Sequence, residues 1–241
     1  MAWFFTDENI SAEDYIISGE NARHIEKSLR MKPGEELTFC TPDMTQCNCE
    51  ITRIAPGQVF VKVRERFPCK NEPDVKITLY QALPKGDKMD YIVQKCVELG
   101  VSRIVPVISA RCISRPDEKS LKKKTERWQK IALQAAMQSR RGIIPQVEKA
   151  VSFEQAVQGA DNSLNIIFYE CGGESVSSVI NDKFDTIGMF IGSEGGFEEK
   201  EVQSVLDKGG KAATLGRRIL RAETAPLAAL SIIMYQTGNF D

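Results

Sequence analysis

The 241-residue sequence predicts an α/β protein whose larger part is a parallel sheet, preceded by a small β-barrel. Three observations lead there. The first seventy or so residues hold short, closely spaced, β-branched or alternating runs divided by turn residues. From Val75 onward, strand-like runs alternate with helical patterns, the arrangement of a parallel sheet covered on both faces. Two late runs also open into conspicuous loops, Ile191-Gly192-Ser193-Glu194-Gly195-Gly196-Phe197 and Leu215-Gly216-Arg217-Arg218-Ile219-Leu220-Arg221-Ala222-Glu223-Thr224-Ala225. Both are expected on adjacent parallel strands, at the carboxyl ends where open α/β sheets place ligands.

In the first part, Glu36 to Phe39, Asn48 to Ile54 and Val59 to Val63 read as strands, separated by Lys32-Pro33-Gly34 and Ala55-Pro56-Gly57 turns. Residues 21 to 29 read as a helix between strands, with Asn21 as its N-cap. His24, beside apolar Ile25, reads as a packing or surface residue. Asn71-Glu72-Pro73 marks the boundary, which gives domains of residues 1–71 and 72–241.

In the second part, Val75 to Tyr80 is a strand and Lys88 to Leu99 a helix with Met89, Ile92, Val93, Cys96 and Leu99 on one face. Gly100 ends it, and Ile104 to Ile108 completes a β-α-β unit. Residues 117 to 139 form the longest helical pattern. Leu164 to Tyr169, Thr186 to Ile191 and Ala212 to Leu215 read as strands; helices are expected near Phe153 to Val157, Glu198 to Lys208 and Pro226 to Gln236. The last is apolar nearly all round, so it must be covered on every side, inside the fold or at a subunit interface.

Composition excludes several classes. No apolar run reaches the 18 or more residues that cross a bilayer. The amino terminus meets acids early and lacks the basic start of a signal peptide, so a cytoplasmic location is expected. Seven scattered cysteines and one histidine argue for reduced thiols and no metal site. The net charge of −1 conceals segregation: residues 111 to 141 carry 10 basic and 3 acidic side chains. Together with Arg217, Arg218 and Arg221, that excess predicts a phosphate-facing surface.

The two loops differ in charge. The first holds Glu194 and runs into Glu198, Glu199 and Glu201. Acids at a helix start suit its dipole and repel phosphate. No P-loop or dinucleotide fingerprint is present. A neutral or cationic ligand is therefore expected there, adenosine attached to a sulfonium being one example. The second loop is cationic, and guanidinium forks suit either phosphates or base edges. Glu223 and Thr224 precede Pro226, so helix capping is also open to them.

These two stretches resemble the signature of the ribosomal RNA small-subunit methyltransferase E family. The resemblance extends to Leu29-Arg30-Met31, Gly34, Lys85-Gly86-Asp87-Lys88, Lys95, Glu98-Leu99-Gly100 and Gln138-Ser139 with Arg141, so it covers essentially the whole chain. It implies a PUA-like β-barrel followed by a SPOUT α/β domain with a trefoil knot. It further implies S-adenosyl-L-methionine as donor, a homodimer packed partly through the knotted helices, and N3 methylation of a uridine in 16S rRNA of the small ribosomal subunit. The chain departs from the family in the basic helix: acids common near Gln134 and Met137 are absent, and Arg140 replaces a small residue.

On this resemblance, Arg221 or Arg217 stabilises the developing uracil anion, with Glu223 or Glu194 as proton acceptor or orienter. The cofactor lies across Tyr169 and Glu170, then Ile191, Gly192, Ser193 and Gly195, then Leu215, Gly216, Ile219, Leu220 and Thr224. RNA contacts are expected from Arg30, Lys85, Lys88, Arg111, Lys122, Lys123, Lys124, Arg127, Arg140 and Arg141. Two other readings stay open, a ribosome-assembly factor without catalysis and a knotted methyltransferase acting on tRNA ribose.

Overall fold

The computed structural model describes residues 2–240. The chain forms two compact units. One comprises the residues up to Glu72 with Ala136–Ile143; the other comprises Pro73–Ala135 and the residues from Ile144 on.

The first unit is a five-stranded sheet built from β1 (Ala2–Phe5), β2 (Asp14–Ile17), β3 (Glu36–Cys40), β4 (Thr45–Ala55) and β5 (Gln58–Pro68). Its order is β1-β3-β4-β5-β2, with β1 and β3 parallel and the other pairs antiparallel. The β4–β5 hairpin turns at Pro56-Gly57, where Gly57 adopts φ +73, a value glycine takes without steric cost. Alternation sends Phe39, Leu37, Ile51 and Val59 into one core with Phe4 and Ile25. Each such burial contributes about 1.5–3 kcal/mol. The expected helix begins earlier than the sequence suggests. It runs as α1 (Gly19–Arg23) and continues into a π-helical stretch, His24–Ser28. Its N-cap is Ser18, not Asn21. Asn21 instead donates to the Phe5 carbonyl at 2.9 Å, tying the helix to β1. His24 packs edge-on against Phe4.

Ala136–Ile143 is held in this unit by polar contacts. The Trp3 indole donates to the Arg141 carbonyl at 3.1 Å, and the Cys40 thiol to the Gly142 carbonyl at 3.3 Å. Arg141 is 3% exposed and grips both Glu72 oxygens, at 2.8 and 2.6 Å. It was expected to face RNA. A guanidinium buried in a bidentate carboxylate pair has no face left for phosphate, so Arg141 serves the fold of this unit.

The second unit centres on an eight-stranded sheet. Its elements in order are β6 (Lys76–Ala82), α2 (Lys88–Glu98), β7 (Arg103–Ile108), α3 (Glu118–Gln138), β8 (Gln146–Val147), β9 (Val151–Ser152), α4 (Phe153–Gln158) and β10 (Leu164–Phe168). There follow β11 (Glu174–Ser175), α5 (Val176–Val179), β12 (Thr186–Ile191), α6 (Glu199–Asp207), β13 (Lys211–Thr214) and α7 (Ala225–Gln236). The order is β11-β13-β10-β12-β6-β7-β8, with β9 also on β7, and the pairs are parallel. The sheet's middle is buried on both faces, as Ile77, Leu79, Ile166, Ile167, Ile187 and Met189 show at 0% exposure.

Between sheet and helices, Tyr80 stacks on Phe190 at 4.3 Å, and Phe153 packs against Phe197 at 5.3 Å. Gly100, at φ +99, ends α2; a Cβ there would stand 2.8 Å from Met234 Cε of α7. The apolar helix α7 buries Ala229, Leu230, Ile233 and Met234 but leaves Ile232 39% and Tyr235 70% exposed. Among the described residues no helix is long and apolar enough to cross a membrane.

Candidate active site

The strand order decides the site. β12 and β13 are not neighbours: β10 lies between them, and β6 flanks β12 on the other side. The sequence runs β10, β12, β13, but the crossovers insert the earlier strand between the later two. Tyr169 and Glu170, which follow β10, therefore stand between the two loops identified in the sequence. Lys88, which follows the loop after β6, completes the set. Together these loops line a cavity of about 550 Å³.

The loop after β12 is a close-packed turn. Gly196 N donates to the Ser193 carbonyl at 2.9 Å, and Gln81 of β6 donates to the Gly192 carbonyl at 3.4 Å. Gly196 adopts φ +66, and a Cβ there would strike the Glu170 carboxylate. A Cβ on Gly192 would stand 3.1 Å from Gly196 Cα, so the turn closes on itself without side chains. Phe197, 0% exposed, anchors the far end. Ser193 is 8% exposed and its Oγ has no partner in the protein. A buried hydroxyl of this kind is satisfied by a ligand or costs stability.

The acids after this loop divide their roles. Glu201 is 6% exposed. Its carboxylate accepts from Glu198 N at 2.9 Å and from Ala110 N at 2.8 Å. It thus closes the first turn of α6 and holds the loop after β7 beside it. From that loop, Arg111 donates to the Gly195 carbonyl at 3.1 Å.

The loop after β13 has no regular structure until α7. Arg217, Arg218 and Arg221 are exposed in it and line the cavity. The Arg221 carbonyl accepts from both Thr224 N and Ala225 N at 2.9 Å, which turns the chain into α7. Of the capping role open to Glu223 and Thr224, Thr224 takes the N-cap position of α7. Thr224 makes no side-chain cap bond. Glu223 reaches Lys88 Nζ at 3.0 Å, and the same ammonium donates to Glu194 Oε1 at 2.8 Å. Lys85 N adds hydrogen bonds to both Glu194 oxygens at 3.3 Å. Burial would raise the Glu194 carboxyl, but the hydrogen bonds from Lys88 and the backbone outweigh it and hold it below the usual range. Glu223 is held low chiefly by Lys88, and the Lys88 ammonium is held high by the two carboxylates. The Tyr169 phenol is raised, first by its hydrogen bond with Cys171.

Of the residues expected at the site, Tyr169, Glu170, Ile191 to Gly195, Leu215 to Arg217 and Ile219 to Arg221 line this cavity. Glu223 and Thr224 are not among the lining residues. The lining residues not assigned to a ligand pocket by the sequence include Gly196, for which the paired glycines were the available signal, and Lys88, which was expected on RNA. Of the other basic residues, Arg30, Lys122, Lys123 and Arg140 are exposed and Lys124 half-buried. Arg127 pairs with Asp90, which also accepts from Trp128 at 3.0 Å.

Comparison with known proteins places these observations. Residues 70–234 match a family model described as an RNA methyltransferase domain, and residues 17–64 one described as an RNA methyltransferase PUA domain. The ribosomal RNA small subunit methyltransferase E of Bacillus subtilis is 37% identical over 234 residues, covering 94% of this chain and 91% of that protein. The enzyme of that name from Mesomycoplasma hyopneumoniae is 31% identical, covering 96% and 98%. Among solved structures, the ribosomal RNA small subunit methyltransferase E of Neisseria gonorrhoeae, bound to S-adenosyl methionine, superposes with a TM-score of 0.89 at 32% identity, covering 98% of this chain and 97% of that one.

Proposed function

We infer that this chain, which belongs to the ribosomal RNA small subunit methyltransferase E family, methylates N3 of a uridine in the decoding region of 16S rRNA, with S-adenosyl-L-methionine as donor. The observation that carries the reading is the two-sided lining of one cavity. Bare backbone and carboxylates form one wall, at Gly192, Gly195, Glu194 and Glu170, and arginines form the other.

The donor set fits such a cofactor. Ser193 Oγ is a buried hydroxyl in want of a partner, the glycines expose backbone groups, and the acids suit a cationic centre. When bound, S-adenosyl-L-methionine supplies a methyl group activated on a sulfonium. The chain's own residues do the remaining tasks. Uracil N3 is buried in pairing and carries a weakly acidic proton, so the base must be exposed and held at the cavity mouth. Arg221 or Arg217 then stabilises negative charge at the uracil oxygens, and placement of the base supplies much of the acceleration. Glu194 or Glu223, both kept ionised by Lys88, accepts the N3 proton or orients these groups.

The remaining parts follow from the same reading. The first unit, to which Glu72 and Ala136–Ile143 belong, is an RNA-binding domain, and the second is the catalytic domain, threaded as a trefoil knot. Arg30, Lys122, Lys123, Lys124 and Arg140 contact RNA phosphates. The exposed Ile232 and Tyr235 of α7, with Tyr91 of α2, cover one another in a homodimer. The enzyme works in the cytoplasm, where its ribosomal substrate is.

Mass spectrometry of nucleosides from a strain lacking this protein tests the reading. Expected is loss of N3-methyluridine from 16S rRNA, restored by the intact chain. Retention of that nucleoside overturns it: loss of a ribose methylation from tRNA would identify the other knotted activity, and unchanged nucleosides with defective subunits an assembly factor.

A further inference from the structure

We propose that Lys88 is a positioning residue whose ammonium fastens the two signature loops together through Glu194 and Glu223, and that it makes no contact with RNA phosphate. The inference rests on the methyltransferase reading above.

The geometry is specific. Nζ lies 2.8 Å from Glu194 Oε1 and 3.0 Å from Glu223 Oε2, so those two oxygens are at most about 6 Å apart. Two carboxylates at that separation repel unless a cation stands between them. Lys88 is the first residue of α2, a helix fixed by Met89, Ile92, Val93 and Cys96, each at most 2% exposed. The ammonium is therefore presented from a rigid platform. Lys85 N, from the loop leading into that helix, adds its bonds to Glu194.

Charge argues the same way. One ammonium between two carboxylates is a cluster of net negative sign, which an approaching phosphate avoids. The exposed Arg217, Arg218 and Arg221 carry the positive potential of the site instead. The consequence reaches the reacting groups. Glu194 belongs to the turn that presents Gly192 to Gly195. Glu223 follows Arg221 by two residues, within the turn whose amides close on the Arg221 carbonyl. Lys88 thus sets the distance between the backbone wall and the arginine wall.

Lys88→Met keeps the side chain out to Cε and removes the ammonium. Its effect is read in three ways: kcat and KM on small ribosomal subunits, calorimetry with S-adenosylmethionine, and the salt dependence of RNA affinity. Expected are a fall in kcat of at least tenfold, cofactor affinity weakened several-fold, and an unchanged slope of log affinity against log salt. An unchanged kcat with a slope shallower by about one would make Lys88 a phosphate contact and overturn the proposal. Glu223→Gln supplies a second variant that keeps Lys88. Its kcat loss should not add to that of Lys88→Met in the double variant, because both break one cluster; additive losses overturn the proposal. Calorimetry separates the two readings: if wild-type protein binds the cofactor but modifies no 16S uridine, the proposed substrate fails while the weakened binding of Lys88→Met still supports the fastening role.

Discussion

Arg111 and Gly195 approach each other through both backbone and side chain: the guanidinium donates to the Gly195 carbonyl at 3.1 Å, and a Cβ on Gly195 would stand 2.9 Å from Arg111 Cβ. The neighbour is a β-carbon, with the Arg111 carbonyl next at 3.2 Å, so no side-chain rotation relieves the contact. Gly195→Ala should push the turn away from the loop after β7. Calorimetry is expected to show S-adenosylmethionine binding weakened at least tenfold. Arg111→Ala removes only the hydrogen bond, worth about 0.5–1.5 kcal/mol. Equal affinity in Gly195→Ala and wild-type protein would mean that this turn does not shape the cavity.

The Glu194–Lys88–Glu223 cluster has a defined pH window. Both carboxyls are lowered in the folded chain, Glu223 by Lys88 first and Glu194 by Lys88 and backbone bonds that overcome its burial. Their contribution to stability is present above the ordinary glutamate value of 4.5 and is lost as pH falls through the lowered values. Lys88 is raised by the same partners. Its contribution is complete below its ordinary value of 10.5 and is lost as pH rises through the raised one. Between about pH 5 and 10 the cluster is constant. The Tm difference between wild-type and Glu194→Gln protein should therefore be flat across that range and narrow in acid. A kcat inflection near neutrality that disappears in Glu194→Gln would contradict this account.

Arg140 and Arg141 should differ sharply despite their adjacency. Arg141→Ala strands the Glu72 carboxylate, which also accepts from Gly142 N at 2.7 Å. Breaking one side of a buried pair costs about 3–5 kcal/mol, measurable by urea denaturation. Arg140→Ala should change stability by less than about 0.5 kcal/mol and lower the salt slope of RNA binding instead. A stability loss confined to Arg140→Ala would reverse the assignment.

That contrast also marks where the sequence stops being informative. Periodicity gave the alternation of strands and helices and placed β6, β10, β12 and α2 within a residue or two, because burial on a face is a local pattern. The order of strands is not local. Nothing in the spacing of Leu164, Thr186 and Ala212 says that β10 comes to lie between β12 and β13, which is what puts Tyr169 and Glu170 between the two loops. The fate of a charge is likewise set by distant partners: Arg141 is buried by Glu72 and Trp3, and Lys88 is claimed by Glu194 and Glu223. Glu201 reads as one of several acids favouring a helix start, yet its bond to Ala110 N depends on a chain segment 91 residues away.

The two arginines left open by the sequence can be separated by how each is held. Arg221 has its carbonyl fixed by two amides at the start of α7, and Glu223, two residues on, is clamped by Lys88. Arg217 follows Gly216, at φ +96, in the irregular part of the loop. A charged group that needs no reorganisation stabilises developing charge best. Arg221→Ala is therefore expected to lower kcat by about a hundredfold or more with S-adenosylmethionine affinity unchanged. Arg217→Ala should act mainly on KM for the ribosomal substrate, with a loss in kcat below about tenfold. Arg221→Lys should recover little, since a point charge does not replace a planar fork. Single-turnover methylation with saturating cofactor measures all three, and a larger kcat loss in Arg217→Ala than in Arg221→Ala would exchange their roles.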